Sequence, residues 1–184
     1  MAITLVPFDP KNEELILEVI KHVRRQTYTP EKLCQLQKII ETKYHYWWCN
    51  DMKKEEYLLE LFSKDFTGTF NGYPTGADAM AQAKTSKWCN APMVTMHLGH
   101  QPLVWLIDDD HARGIFQYED HMVYREDGYE VRSWMVYIDD FIRDEEGVWH
   151  IQVMRMAQKQ LDGNYRDITP PEGWVPEKWE EVDF

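Results

Sequence analysis

Cysteine is scarce in this chain, with only Cys34, Cys49 and Cys89 among 184 residues. An odd number cannot all pair within one chain, and this spacing matches no zinc pattern, so a reducing cytoplasm is the expected setting. No apolar run approaches the ~20 residues that a membrane-crossing helix needs, and the opening MAITLVPFDP lacks the basic-then-apolar plan of a secretion signal. Basic residues are also short, 20 against 32 acidic, and the net charge of -12 repels nucleic acid and anionic membrane surfaces. There is no glycine-rich phosphate loop, dinucleotide fingerprint or nucleophile elbow, which argues against nucleotide cofactors and covalent serine chemistry; no cofactor is expected. Without repeats or a linker, residues 1–184 read as a single domain.

What the chain does have is rings. Aromatic residues make up 14% of it, eight of them tryptophan, enough for a core and for the walls of a pocket that takes a flat, greasy ligand. Asp9-Pro10 starts a helix with the stripe Leu15, Val19 and Val23, and Thr29-Pro30 starts a second on which Leu33, Leu36, Ile40, Tyr44 and Trp47 recur at helical spacing. Glu55 to Phe62 reads as a short helix, Phe66 to Phe70 as a strand and Ala77 to Lys87 as a further helix. Beyond Met93 the pattern is strand, broken at Asp108-Asp109-Asp110, Glu126-Asp127-Gly128 and Asp144-Glu145-Glu146-Gly147. Helices followed by antiparallel strands give an α+β plan, a curved sheet wrapped over N-terminal helices. Residues 1–28 read as a helical extension. Residues 162–184, rich in proline and acid yet carrying Trp174 and Trp179, read as a strap packed on its own domain or on a neighbouring subunit.

The stretch from Thr95 to His121 carries the chemistry. Two strands, Val94 to Ile107 and Ala112 to Arg125, form a hairpin that brings His97 towards Asp120. Ala112, Gly114, Phe116, Tyr118 and Asp120 share one face by the two-residue repeat, so Asp120 lies in a row of small and aromatic residues where an acid must be paired or protonated. A histidine held by a carboxylate is an acid–base device; a structural pair closing the hairpin is the plainer reading. His100 and His121 fall on the opposite face unless Gly99 marks a bulge, so a metal site built from His97, His100, Asp120 and His121 requires a convergence that alternation opposes, and no metal is expected. Alternation also lets only one of Arg132 and Ser133 face inward.

The segments MHLGH, DDDHARGIFQYED and EGVWHI, with Tyr44 on an early helix and Arg155 late in the chain, resemble the SnoaL-like branch of the nuclear transport factor 2-like superfamily, in particular its bile-acid 7α-dehydratase and scytalone dehydratase group. The likeness spans roughly Gln35 to Leu161 and implies a cone-shaped α+β barrel with a pocket between sheet and helices. It matches His97 to the family's catalytic histidine, Asp120 to the carboxylate beside it, and Tyr44 to a phenol that stabilises a developing oxyanion. Bile-acid dehydratase relatives carry an aspartate five residues after that tyrosine, where this chain has Cys49. Asp51, seven residues beyond Tyr44, returns to the same face if the helix continues that far.

These observations imply a cofactor-independent lyase, a dehydratase or isomerase, acting by His-Asp chemistry on a hydrophobic ring-bearing molecule of steroid, polyketide or aromatic type. His97, Asp120 and Tyr44 are its catalytic candidates. Asp51, Trp48, Phe116, Tyr118, Ser133 and Arg155 are its substrate-contact candidates, although a salt bridge is the plainer role for Arg155. A homodimer or homotrimer is expected. The rival functions are a non-catalytic ligand-binding or assembly module of the same fold and an accessory oxygenase subunit.

Overall fold

The computed structural model describes residues 2–5, 10–70, 73–74, 93–124 and 129–163. The helix expected at Ala77 to Lys87, Cys89 and the strap from residue 164 onward lie outside them. The elements in order are β1 (Ala2–Leu5), α1 (Pro10–Arg24), α2 (Pro30–Asp51), α3 (Glu55–Glu60), β2 (Phe62–Phe70), β3 (Tyr73–Pro74), β4 (Met93–Leu106), β5 (His111–Tyr124), β6 (Tyr129–Arg143) and β7 (Trp149–Gly163). The sheet runs β3-β2-β7-β6-β5-β4, with β1 added to β7. All pairings are antiparallel except β2 with β7. Register shifts put extra residues on β4 between His100 and Leu103, and on β7 between Gln158 and Gln160 and between Ile151 and Val153, bulges that bend the long strands. No helix among the described residues is long and apolar enough to cross a membrane.

The sheet buries both faces. On its inner face α2 covers Phe116, Tyr118, Tyr137, Phe141 and Met154. On the outer face α1 lays Leu15, Ile16, Val19 and Val23 over Trp105, Ile115, Val136, Ile138 and Ala157. Alternation along β5 and β6 explains the split, because neighbours such as Ile115 and Phe116 point to opposite sides. The mixed α+β architecture therefore holds, with α1 clasping the sheet from outside.

Three features differ from the sequence reading. The segment before α1 contains a strand, β1, whose partner is too far along the chain for local pattern to reveal. The third helix stops at Glu60 and Phe62 opens β2, where its ring stacks on Phe66 at 4.1 Å. The buried face of α2 is rotated: Leu36, Ile39, Lys43, Tyr46, Trp47 and Asn50 point inward, Ile40 and Tyr44 are partly buried, and Leu33 is exposed. Apolar residues surround this helix on most sides, and a lysine on the buried stripe hides its phase.

Candidate active site

Asp51 is the last residue of α2, so the helix continues far enough to present it. The carbonyl end of a helix disfavours a carboxylate, and here donors compensate. His97 Nδ1 lies 2.5 Å from Asp51 Oδ1, the His97 amide donates to Oδ2 at 2.9 Å, and the Thr95 hydroxyl donates to Oδ1 at 2.9 Å. Burial pushes the Asp51 carboxyl up, but the His97 ring, the His97 amide and Thr95 outweigh it and hold the group below its ordinary range. An ionised Asp51 can only accept, so His97 Nδ1 carries a proton and donates it to Oδ1.

Asp120 is the cross-strand neighbour of His97, as the hairpin argument expects. The expected direct pairing is corrected, however, because Asp120 is engaged elsewhere. The Tyr118 hydroxyl donates to its Oδ2 at 2.8 Å, while the amide of Ser133 donates to Oδ1 at 3.0 Å and the Ser133 hydroxyl bonds the same oxygen. Tyr118 is two residues along the same face and Ser133 is directly opposite on β6, so both reach the carboxylate first. Burial, with the Asp120 charge next, raises the Tyr118 phenol well above its ordinary range, so it keeps its proton and donates it to Asp120.

The imidazole of His97 lies flat on Tyr118 at 5.5 Å and 13°, Tyr118 on Trp47 at 5.7 Å and 14°, and Trp47 on Tyr44 at 5.7 Å and 26°. Gly99 permits this stack, since a Cβ there would overlap Trp47 Cζ3. Two rings, Tyr118 and Trp47, stand between His97 and Tyr44, and two, Tyr118 and Tyr137, stand between His97 and Tyr46. Counting back the five residues that the resemblance calls for, from the carboxylate His97 engages, leads to Tyr46 instead. Tyr46 is 5% exposed and packs edge-on against Tyr137, 6.4 Å between centroids.

The remaining candidates divide by face. Phe116, Tyr118 and Ser133 are buried on the inner side, and Ser133 rather than Arg132 points inward. Trp48 is 64% exposed, outside the buried layer. Arg155 lies on the outer face and binds Asp140 at 2.9 Å, beside Arg113 at 2.5 Å from the same carboxylate. His100 and His121 also lie outside, near Glu119 at 3.2 Å and Glu130 at 2.6 Å, so the four metal-ligand candidates do not converge. A groove of about 460 Å³ is lined by His100, Gln117, Glu119 and Trp134 of that outer face together with Tyr118 and Met135.

Beneath the stack lies a charge pair that the sequence does not announce. Lys43 and Asp139 are both fully buried, with Nζ 2.7 Å from Oδ2, and the ammonium sits 3.5 Å from the Tyr137 ring centroid and 4.6 Å from that of Tyr46. Neither Asp139 oxygen has a well-aligned hydrogen bond, so the contact is chiefly electrostatic.

A curved sheet over a helix, with a carboxylate-held histidine on its inner face, is the α+β arrangement that the sequence resemblance implies. Residues 31–155 match the SnoaL-like domain, and the chain belongs to that family. A scytalone dehydratase-like protein from Novosphingobium aromaticivorans is similar at 18% identity, over 78% of this chain and 96% of its own, with a TM-score of 0.66. Hexachlorocyclohexane dehydrochlorinase LinA-type3 from Novosphingobium barchaimii is 15% identical over 75% of this chain and 97% of its own, TM-score 0.62. ActVI-ORFA from Streptomyces coelicolor is 9% identical over 66% and 95%, TM-score 0.52. At these identities the likeness establishes the fold. No curated protein matches the sequence.

Proposed function

We propose that the protein is a lyase that eliminates water, or another small leaving group, from a hydrophobic ring-bearing molecule without a cofactor. The observation carrying this reading is the 2.5 Å contact between His97 Nδ1 and an Asp51 carboxylate fixed by two further donors. In the proposed reaction His97 Nε2 takes a proton from a carbon beside a carbonyl. The electrons of that C–H bond form the new double bond as the C–O bond breaks, and the imidazolium returns its proton to the departing oxygen, releasing water. Asp51 fixes the tautomer and stabilises the imidazolium. Asp120, with its donors Tyr118 and Ser133, shapes the floor, and Tyr46 takes the oxyanion-stabilising part first assigned to Tyr44. The aromatic layer suits steroid-, polyketide- or aromatic-like substrates, and the two dehydratase- and dehydrochlorinase-named neighbours are eliminating enzymes by name.

The test is a screen of hydroxylated steroids, polyketide-like ketols and aromatic diols for loss of water or a one-carbon fragment, followed by variants. His97→Gln lowers turnover about a hundredfold or more with the fold intact, the scale of one general acid–base group. Tyr46→Phe lowers it at least about tenfold and Tyr44→Phe changes it little. A His97→Gln protein that keeps its rate defeats the assignment, and ligands that bind tightly without reacting favour the carrier function instead.

A further inference from the structure

The turn after α2 has the hydrogen-bond pattern of a helix stop that favours glycine. Lys54 N donates to Cys49 O at 2.9 Å and Lys53 N to Asn50 O at 3.2 Å, the paired bonds of a Schellman motif. The residue between helix and exit is in the left-handed region, φ 57°, and it is Lys53. A lysine there carries backbone strain that glycine would avoid. Its side chain turns back to the dyad, and Nζ donates to Thr95 Oγ1 at 3.0 Å.

That bond sets the direction of the next one. An ammonium has protons and no lone pair, so Thr95 Oγ1 must accept from it, and the single Thr95 proton is left for Asp51 Oδ1. Donation therefore runs from Lys53 to Thr95 to Asp51, and the carboxylate accepts from His97 on its other side. Thr95 is 7% exposed, so its hydroxyl has little water to turn towards.

We propose that Lys53 is a positioning residue for the His97–Asp51 pair: its ammonium orients the Thr95 hydroxyl onto Asp51 and so holds the carboxylate aligned on the His97 ring. This role rests on the dyad proposed above. The titratable groups that the described geometry sets around His97 are Asp51 and Lys53 from the end of α2, and Tyr118 and Asp120 from β5. Removing the ammonium takes away a cation that opposes the imidazolium, and it frees Thr95 to turn from Asp51, leaving that carboxylate more basic. Both changes favour protonated His97.

The experiment is an NMR titration of the His97 ring in the full chain, which requires no substrate. Lys53→Gly removes the ammonium while relieving the strained backbone, so its melting temperature is no lower than wild type. Its His97 midpoint rises by about half a pH unit or more. Lys53→Met and Thr95→Val raise the midpoint in the same direction, and Lys53→Arg, which keeps a cationic donor, returns it towards wild type. Midpoints in Lys53→Gly and Lys53→Met that equal the wild-type one overturn the proposal, as does a Lys53→Arg midpoint displaced as far as that of Lys53→Met. Because turnover is not measured, this failure is distinct from failure of the lyase reading, which His97→Gln decides.

Discussion

A lysine and an aspartate with no exposed surface sit under the aromatic floor of the site, and their ionisation records what burial costs them. Burial pulls Lys43 down from 10.5 to about 8 against the opposing pull of Asp139, and pushes Asp139 up from 3.8 to about 6 against that of Lys43. The folded state holds the Asp139 proton more tightly than the unfolded chain, so this group lowers stability as pH rises from about 4 to about 6. The folded state loses the Lys43 proton more readily, so this group adds stability as pH rises from about 8 to 10.5. Between those windows both groups are charged and desolvated. Lys43→Met alone leaves Asp139 unpaired and costs about 3–5 kcal/mol, whereas Lys43→Met with Asp139→Val is as stable as wild type or more so at pH 7. Denaturant unfolding at pH 7 decides this, and a double variant as unstable as the single one contradicts it.

At the scale of elements, the site depends on how closely α2 approaches β4. Trp47 lies on the backbone of Gly99, and Tyr118 and His97 continue the stack from it. Gly99→Ala drives a methyl group into the indole and costs about 1–3 kcal/mol of overpacking. It also tilts the surface under His97, so a lowered urea midpoint accompanies a lowered rate; an unchanged midpoint rules out the close approach. Much of this arrangement is legible in sequence. The two-residue repeat that places Ala112 to Asp120 on one buried face follows from strand geometry, and so does the opposite facing of His97 and His100. The partner of His97 is not legible in this way. Asp51 reaches it from another element, 46 residues away, and only folding shows that Tyr118 and Ser133 take Asp120 first. Lys43 and Lys53 are hidden for a related reason, since a lysine on a helix or after it reads as a solvated residue until its surroundings are known. The Tyr46-to-Asp51 spacing is present in the sequence, but the stripe of Leu33, Leu36, Ile40, Tyr44 and Trp47 selects Tyr44, and only the observed phase of α2 puts Tyr46 on the buried side.

For the whole molecule, the two faces of the sheet divide the work. The outer face receives α1 over one apolar patch and carries ion pairs at Arg113, Arg155 and Asp140. The inner face combines rings, a buried charge pair and the His97–Asp51 dyad in one layer under α2. In the proposed lyase that division gives each residue a part: His97 is the base, Asp51 orients it, and Asp120 supports the floor. The direct measurement is turnover of an eliminated substrate by His97→Gln, Asp51→Asn, their double variant and Asp120→Asn. Asp51→Asn is expected to lose rate on the scale of His97→Gln, with the double variant falling little further, because the two residues act as one unit. Asp120→Asn is expected to lose less. An Asp51→Asn enzyme with near wild-type turnover, beside an Asp120→Asn enzyme as slow as His97→Gln, would contradict these roles.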